Sequence, residues 1–347
     1  MRLPGLGWDE TFARAFAALG AGADVAPGRV VIAFNYLCRV WMEQGELEAS
    51  IAGRLKHRAG SRSELPAAGD WVAVRVPAGQ DQGTIVAVLP RRSAFSRRMA
   101  GAVTGEQVVA ANVDVVFLVM ALDADFSVRR LERYLLLARD SGATPVIVLT
   151  KPDLSKTVDQ QIAEVAAVAG PAPTHVVSPK LNMGLEQVAA HLAPGRTGAL
   201  LGSSGVGKST IINRLVGGDV MKTREVRESD SKGRHTTSHR ELVVLPNGGL
   251  IIDTPGMREL QLWDVGDAVR ETFNDIERLA AVCHFTDCRH RDEPRCAVKA
   301  AVDDGRLAAA RLESYQKLQA ELLALARQQE ERALLEQKRR SKRGRDV

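Results

Sequence analysis

The 347 residues, 45% hydrophobic with ordinary charge content, suffice for two or three domains with sizeable cores, which excludes a disordered chain. A formal net charge of +5 biases the surface mildly toward polyanions without selecting a function. The start MRLPGLGWDETFARAF has no apolar core behind a basic segment, and VDVVFLVMAL (113–122) is too short to span a bilayer, so the chain reads as cytoplasmic, with no membrane partner.

Residues 1–28 read as a loose arm ending in GAGADVAPG. Over 29–92 short β-like runs, RVVIAFNYLCRVWM, ELEASIAGRL, DWVAVRV and GTIVAVLP, alternate with turn-rich pieces. They suit a small all-β barrel such as an OB-fold, with a two-sheet sandwich as the competing arrangement. Residues 93–110 read as a linker, basic at its start. From 111 to 265 strands and helices alternate in an α/β doubly wound pattern. VDVVFLVMAL, TPVIVLT, THVVS and TGALLG are strands, and SVRRLERYLLLARDSG is a helix capped by Ser127 and stopped near Gly142. RELVVLP and GGLIIDTPG pair around Asn247-Gly248. Residues 266–347 turn helical, are interrupted by a Cys/His cluster and end in a long helix (about 306–340) with a basic tail.

GSSGVGKST, from Gly202, Ser203, Ser204, Gly205, Val206, Gly207 and Lys208 to Ser209 and Thr210, lies between an apolar strand and a helix-like run. Its glycines let backbone N–H groups turn around phosphates, Lys208 adds a cation, and the Ser209 hydroxyl suits Mg²⁺. In Thr150-Lys151-Pro152-Asp153 the Asp153 carboxylate matches guanine N1–H and the 2-amino group, while the Lys151 stem packs on the base. Adenine would leave that carboxylate unpaired. Ser178 sits where a backbone donor to guanine O6 is expected. Asp253 would hold Mg²⁺ through water and the Gly256 N–H would meet the γ-phosphate. Thr237, or its neighbour Thr236, is the further Mg²⁺ ligand.

The base reader precedes the phosphate loop, the reverse of the conventional order, so the domain reads as circularly permuted. In this order the segment after DTPG runs straight into the C-terminal domain. With TKPD, GSSGVGKS, GRHTT, DTPG and CHFTDCRHRDEPRC in place over roughly 30–300, the chain resembles the ribosome small subunit-dependent GTPase A family. The resemblance implies a cytoplasmic GTPase that helps mature the small ribosomal subunit, combining an OB-fold, a permuted GTPase domain and a zinc domain. Met257 stands where many GTPases have a water-orienting glutamine, so hydrolysis is expected to be slow alone. His235, favoured by the resemblance, a bound K⁺ or the ribosome would position the water; Gly205 speaks against K⁺.

Cys283, Cys288, His290 and Cys296 form C-x4-C-x-H-x5-C, a set suited to one closed, structural Zn²⁺; Cys38 reads as core. Arg54, Lys56, Arg58 and Arg62, in a loop of the barrel, are the candidate rRNA contacts, joined by basic runs at Arg91-Arg92, Arg97-Arg98 and the tail. Few aromatics argue for recognition of folded RNA by shape and charge rather than by base stacking. The leading reading is a monomeric Mg²⁺-dependent GTPase acting on the small subunit. The alternatives are a nucleotide-gated RNA-binding switch with incidental hydrolysis and a metal-trafficking GTPase.

Overall fold

The computed structural model describes residues 2–34, 36–77, 79–98, 106–218, 241–253, 272–320 and 322–324, with Val269 and Arg327. They fall into two compact units, Met1–Gln261 and Leu262–Val347.

The arm is packed, not loose. A 3₁₀ turn (Leu3–Leu6) leads into α1 (Glu10–Ala17), whose first N–H groups are accepted by the Asp9 carboxylate. Leu6 and Phe12 are buried, and the rings of Trp8 and Phe12 lie 4.7 and 5.8 Å from that of Trp71. Burying Phe12 and Trp71, with Trp8 half-buried against them, outweighs the flexibility that the following GAGAD segment suggests.

The barrel strands are β1 (Val25–Phe34), β2 (Leu37–Met42), β3 (Gly45–Ile51), β4 (Trp71–Arg75) and β5 (Gln82–Val88). They close in the order β1-β2-β3-β5-β4, with β3 and β5 parallel and the other pairs antiparallel, which is OB-fold connectivity rather than a sandwich. The barrel starts at Val25, ahead of the expected boundary at 29. Val30, Cys38, Val40, Met42, Ile51, Val72, Val74 and Ile85 fill it, and burial pushes the Cys38 thiol up to about 12. The expected basic loop begins instead as a helix, α2 (Gly53–Arg58).

The expected linker also contains regular structure. β6 (Ala94–Arg98) and β7 (Glu106–Ala111) form a two-stranded antiparallel sheet. The preceding arginines serve the fold: Arg91 grips the buried Asp70 carboxylate through two bonds, 2.8 and 2.7 Å, and Arg92 pairs with Asp9 and lies over the Phe12 ring.

The second half of this unit carries a six-stranded sheet of β8 (Val115–Ala121), β9 (Thr144–Thr150), β10 (Thr174–Val177), β11 (Thr197–Leu201), β12 (Glu241–Val244) and β13 (Leu250–Asp253). Its order is β10-β9-β8-β11-β13-β12, parallel except for the β12–β13 hairpin. β8 is buried along its whole length, as a central parallel strand must be. The helices are α3 (Val128–Ser141), α4 (Val158–Ala169), α5 (Leu185–Ala190) and α6 (Lys208–Val216). Ser127 caps α3 and left-handed Gly142 ends it.

One buried arginine ties barrel to sheet. Arg29 of β1 is 2% exposed and donates to the carbonyls of Leu6, Gly69 (3.3 Å) and Asn112 (3.2 Å) and to the Thr197 hydroxyl (2.7 Å). Burial pulls the guanidinium down to about 10, still charged at neutral pH.

The second unit holds α7 (Asn274–Ala280), α8 (Ala297–Asp303) and a helix over 309–320. Its core includes Phe273, Ile276, Val298, Ala301 and Leu312, and Arg311 pairs with Asp275 at 2.5 Å. Among the described residues no helix is long and apolar enough to cross a membrane.

Replacing Arg29 by Met strands the buried Leu6 and Asn112 carbonyls, while Gly69 keeps the Asn112 amide at 3.1 Å, so Arg29→Met is expected to cost the first unit about 3–5 kcal/mol of unfolding free energy, measured by urea titration. A loss below about 0.5 kcal/mol would make the contact incidental.

Candidate functional site

In a parallel sheet, ligands gather outside the carboxyl ends of the strands. Here the loops leaving β8, β9, β10 and β11 share that edge, and they carry most of the motif residues.

Thr150 ends β9, is 1% exposed, and donates from Oγ1 to the Val206 carbonyl at 2.7 Å. The end of β9 is thus joined to the phosphate loop. Lys151 has left-handed backbone (φ 56°), and its ammonium lies 2.8 Å from the Asp123 carboxylate. Asp153 occupies the 3₁₀ turn Pro152–Leu154, with Lys180 Nζ at 3.9 Å.

Ser178, expected beside a backbone donor to guanine O6, has its own backbone N–H engaged. Its N–H donates to the Met183 carbonyl at 3.0 Å, and its Oγ accepts the Leu181 N–H. Ser178 therefore closes the turn after β10. Residue 179 is proline, so the next backbone N–H on this loop belongs to Lys180.

The phosphate loop leaves β11 at Gly202, where a Cβ would lie 2.3 Å from the Val119 carbonyl oxygen; only glycine lets the loop run this close to β8. Gly205 and Gly207 adopt φ of 78° and 99° with open space beside them. Val206 is buried and anchors the loop while Ser204 and Ser209 stay exposed. Lys208 opens α6, its Nζ donating to the carbonyls of Gly202 and Ser203, with Thr210 in the same first turn. Arg130 of α3 donates to Ser203 Oγ at 2.6 Å. The β8–α3 loop, with Asp123 and Asp125, had no motif to announce it: its acidic residues acquire meaning only once β8 is seen to lie between β9 and β11.

Asp253 ends β13, the strand beside β11. His235, Thr236, Thr237, Gly256 and Met257, the segment after DTPG and the basic tail lie outside the described residues.

In the second unit, the ligand atoms of Cys283, Cys288, His290 and Cys296 all lie within 4.8 Å of one another. Cys283 Sγ is 3.7 Å from His290 Nδ1 and 3.9 Å from Cys296 Sγ, and Nδ1 is 3.4 Å from Cys296 Sγ. Burial keeps the His290 imidazole below its ordinary value and hence neutral, the form that ligates. Burial works against a Cys283 thiolate, but the N–H groups of Val298 and Ala297 bring the thiol below its ordinary value. His284 is outside the group, its ring against Phe285.

On the barrel Arg54, Lys56, Arg58 and Arg62 are all exposed. Lys56 Nζ lies 4.3 Å over the ring of Tyr36, which is exposed on the β1–β2 turn beside exposed Phe34.

Over 94% of its length the chain is 50% identical to the small ribosomal subunit biogenesis GTPase RsgA of Opitutus terrae, 91% of which is covered. The RsgA GTPase family model matches residues 88–263. The chain belongs to the RsgA GTPase family. A second relative, RsgA 2 of Lactiplantibacillus plantarum, is 46% identical over 85% of this chain and 83% of its own. Among solved structures, YjeQ from Thermotoga maritima superposes with a TM-score of 0.64 at 28% identity, covering 86% of this chain and 99% of that one. YloQ, described as a circularly permuted GTPase, shares the fold with a TM-score of 0.59 at 24% identity, covering 87% and 96%. A model of the 50S ribosome-binding GTPase domain matches 197–335, starting at the strand before the phosphate loop. It leaves out Thr150–Asp153, as a permuted RsgA-family chain requires.

Gly202→Ala drives a Cβ into backbone, and the loop must shift. The expected outcome is a loss of about 1–3 kcal/mol, read from thermal melts of the nucleotide-free protein. An unchanged melt would contradict the close approach to Val119.

Proposed function

We propose that this GTPase acts in biogenesis of the small ribosomal subunit, hydrolysing GTP with Mg²⁺ in response to contact with subunit rRNA. The observation that carries the reading is the edge where the base-reading Thr150 loop and the phosphate loop are bonded together. Thr150, Lys151, Pro152 and Asp153 hold guanine, Gly202 to Thr210 and Gly256 surround the phosphates, and Ser209, Thr237 and Asp253 serve Mg²⁺. With Met257 after DTPG, His235 or the ribosomal partner orients the water. The exposed α2 cations and Arg62 face RNA phosphates. Tyr36 and Phe34 give the same barrel an aromatic surface, so stacking on an unpaired base joins shape and charge in this reading. The names of the relatives, small ribosomal subunit biogenesis GTPases, support the partner. The protein works in the cytoplasm as a monomer.

The fit of zinc rests on distances. With Zn–S near 2.3 Å and Zn–N near 2.0–2.1 Å, the edges of a tetrahedral site are about 3.8 Å between sulfurs and about 3.6 Å from sulfur to nitrogen. The 3.9, 3.7 and 3.4 Å separations among Cys283, His290 and Cys296 are on that scale, and all four ligand atoms, Cys288 included, lie within 4.8 Å. Three cysteines and a histidine close the coordination shell, which argues for a structural ion and against metal transfer.

GTP turnover with purified small subunits is expected to rise at least about tenfold over the protein alone, with ATP unaffected; turnover indifferent to subunits would favour the nucleotide-gated switch. Elemental analysis is expected to find about one zinc per chain. Chelation should then remove helical circular dichroism from the second unit while GDP affinity stays within about twofold. A metal-free chain with full helicity would dismiss the zinc assignment.

A further inference from the structure

Three loops at the carboxyl edge of the sheet are bonded pairwise, and only two carry recognised nucleotide motifs. The third is the β8–α3 loop, LDADFS (122–127). Asp123 uses both carboxylate oxygens: Oδ1 accepts the Asp125 N–H at 2.9 Å, which locks its own loop, and Oδ2 meets Lys151 Nζ at 2.8 Å. Two residues on, Asp125 Oδ2 lies 2.6 Å from Arg130 Nη1, which also donates to Ser203 Oγ at 2.6 Å. The remaining side of the triangle is Thr150 Oγ1 on the Val206 carbonyl.

We propose that the β8–α3 loop is a third part of the nucleotide site, in which Asp123 positions Lys151 over the base and Asp125, acting through Arg130, positions Ser203 in the phosphate loop. The proposal rests on the reading of Lys151 and Ser203 given above and deepens it. A lysine has four rotatable side-chain bonds, and holding its stem against a base costs rotamer entropy that an anchored ammonium has already lost. Lys151 also holds a left-handed backbone conformation without being glycine, a cost sustained where neighbours over-determine the geometry. The Asp123 carboxylate is such a neighbour: burial opposes its charge, yet the Lys151 ammonium and the Asp125 N–H keep it below the usual carboxylate range. Arg130 plays the matching part for the phosphates. Its guanidinium, held on Asp125, fixes a loop side chain beside the backbone that must cradle anions, and it adds positive charge next to that loop.

The test uses the full-length protein with GDP and GTP as probes, calorimetric dissociation constants, steady-state turnover, and a nucleotide-free thermal midpoint as the folding control. Asp123→Asn keeps size and removes charge. It is expected to weaken GDP and GTP by the same factor, about tenfold, raising KM while kcat stays within about twofold. Lys151→Met should have a similar effect, and the double variant should be no worse than the more severe single one, because both remove the same interaction. Arg130→Gln and Ser203→Ala are expected to weaken GTP about fivefold each and no further together. Should Asp123→Asn fail to fold, Asp123→Ser takes its place in the cycle. Additive losses in either pair, or an Asp123 variant with unchanged affinities beside a weakened Lys151→Met, overturn the positioning role. Lys151→Met with unchanged affinities instead sinks the base-site reading itself, and the proposal with it.

Discussion

The first unit depends on one guanidinium that has no carboxylate in contact with it. Arg29 is out of water, yet its partners are three backbone carbonyls and a hydroxyl, with Asp114 and Asp70 contributing only through their fields. A buried charge tolerates the loss of an acceptor poorly, because nothing else is there to solvate it. The acceptors come from the arm, the turn before β4, the residue after β7 and the first residue of β11. Thr197 is further fixed by Asp114, which accepts its N–H at 2.7 Å. Since β11 runs directly into Gly202, the charge that seats the barrel also sets where the phosphate loop begins. At Gly7 a Cβ would lie 2.6 Å from the Gly195 carbonyl oxygen and 2.9 Å from Arg29 Nη1, so no side chain fits there beside the guanidinium.

Chain order matters little to a site built from strand ends. β8 lies between β9 and β11 although β8 and β9 both precede β11 in sequence, and a parallel sheet sends all their loops to one edge. Permutation therefore changes which residues are covalent neighbours without changing which loops meet. What it demands is compensation for lost connectivity, and the side-chain bonds from Thr150 to Val206 and from Arg130 to Ser203 supply links that the chain does not.

Much of this could be read from residue patterns with local causes. Ser127 and Gly142 bound α3 as a capping residue and a left-handed stop should, and Asn247-Gly248 turns the β12–β13 hairpin with Gly248 at φ 83°. The glycines of GSSGVGKS and the Cys/His spacing announce their geometry because each residue type has few other uses in such a pattern. What stayed hidden depends on distant partners. Trp8 and Phe12 turn an arm into a packed element only because Trp71 waits on β4, and Arg29 on the barrel meets Asn112, the residue after β7, across 83 positions of sequence. The Ser178 N–H is engaged by the carbonyl of Met183, a few residues on, which the sequence pattern around VVSPK does not announce.

Formal charge shows the same limit. The run at Arg91-Arg92 reads as an RNA-facing patch until Asp70 and Asp9 are placed opposite it, and Arg39 and Arg130 are likewise engaged by Glu241 and Asp125. A guanidinium already forked onto a carboxylate presents little field to a phosphate, since pair and counter-charge nearly cancel beyond a Debye length. Among the described residues of the barrel, α2 presents exposed cations, being a short helix with no acidic residue in its first turn and three basic groups in its last. Lys56 stands over Tyr36 there, which couples this charge cluster to the exposed aromatic turn. Which barrel cations can serve the proposed RNA surface thus depends on which of them the fold engages with carboxylates, and net charge alone carries no information about that.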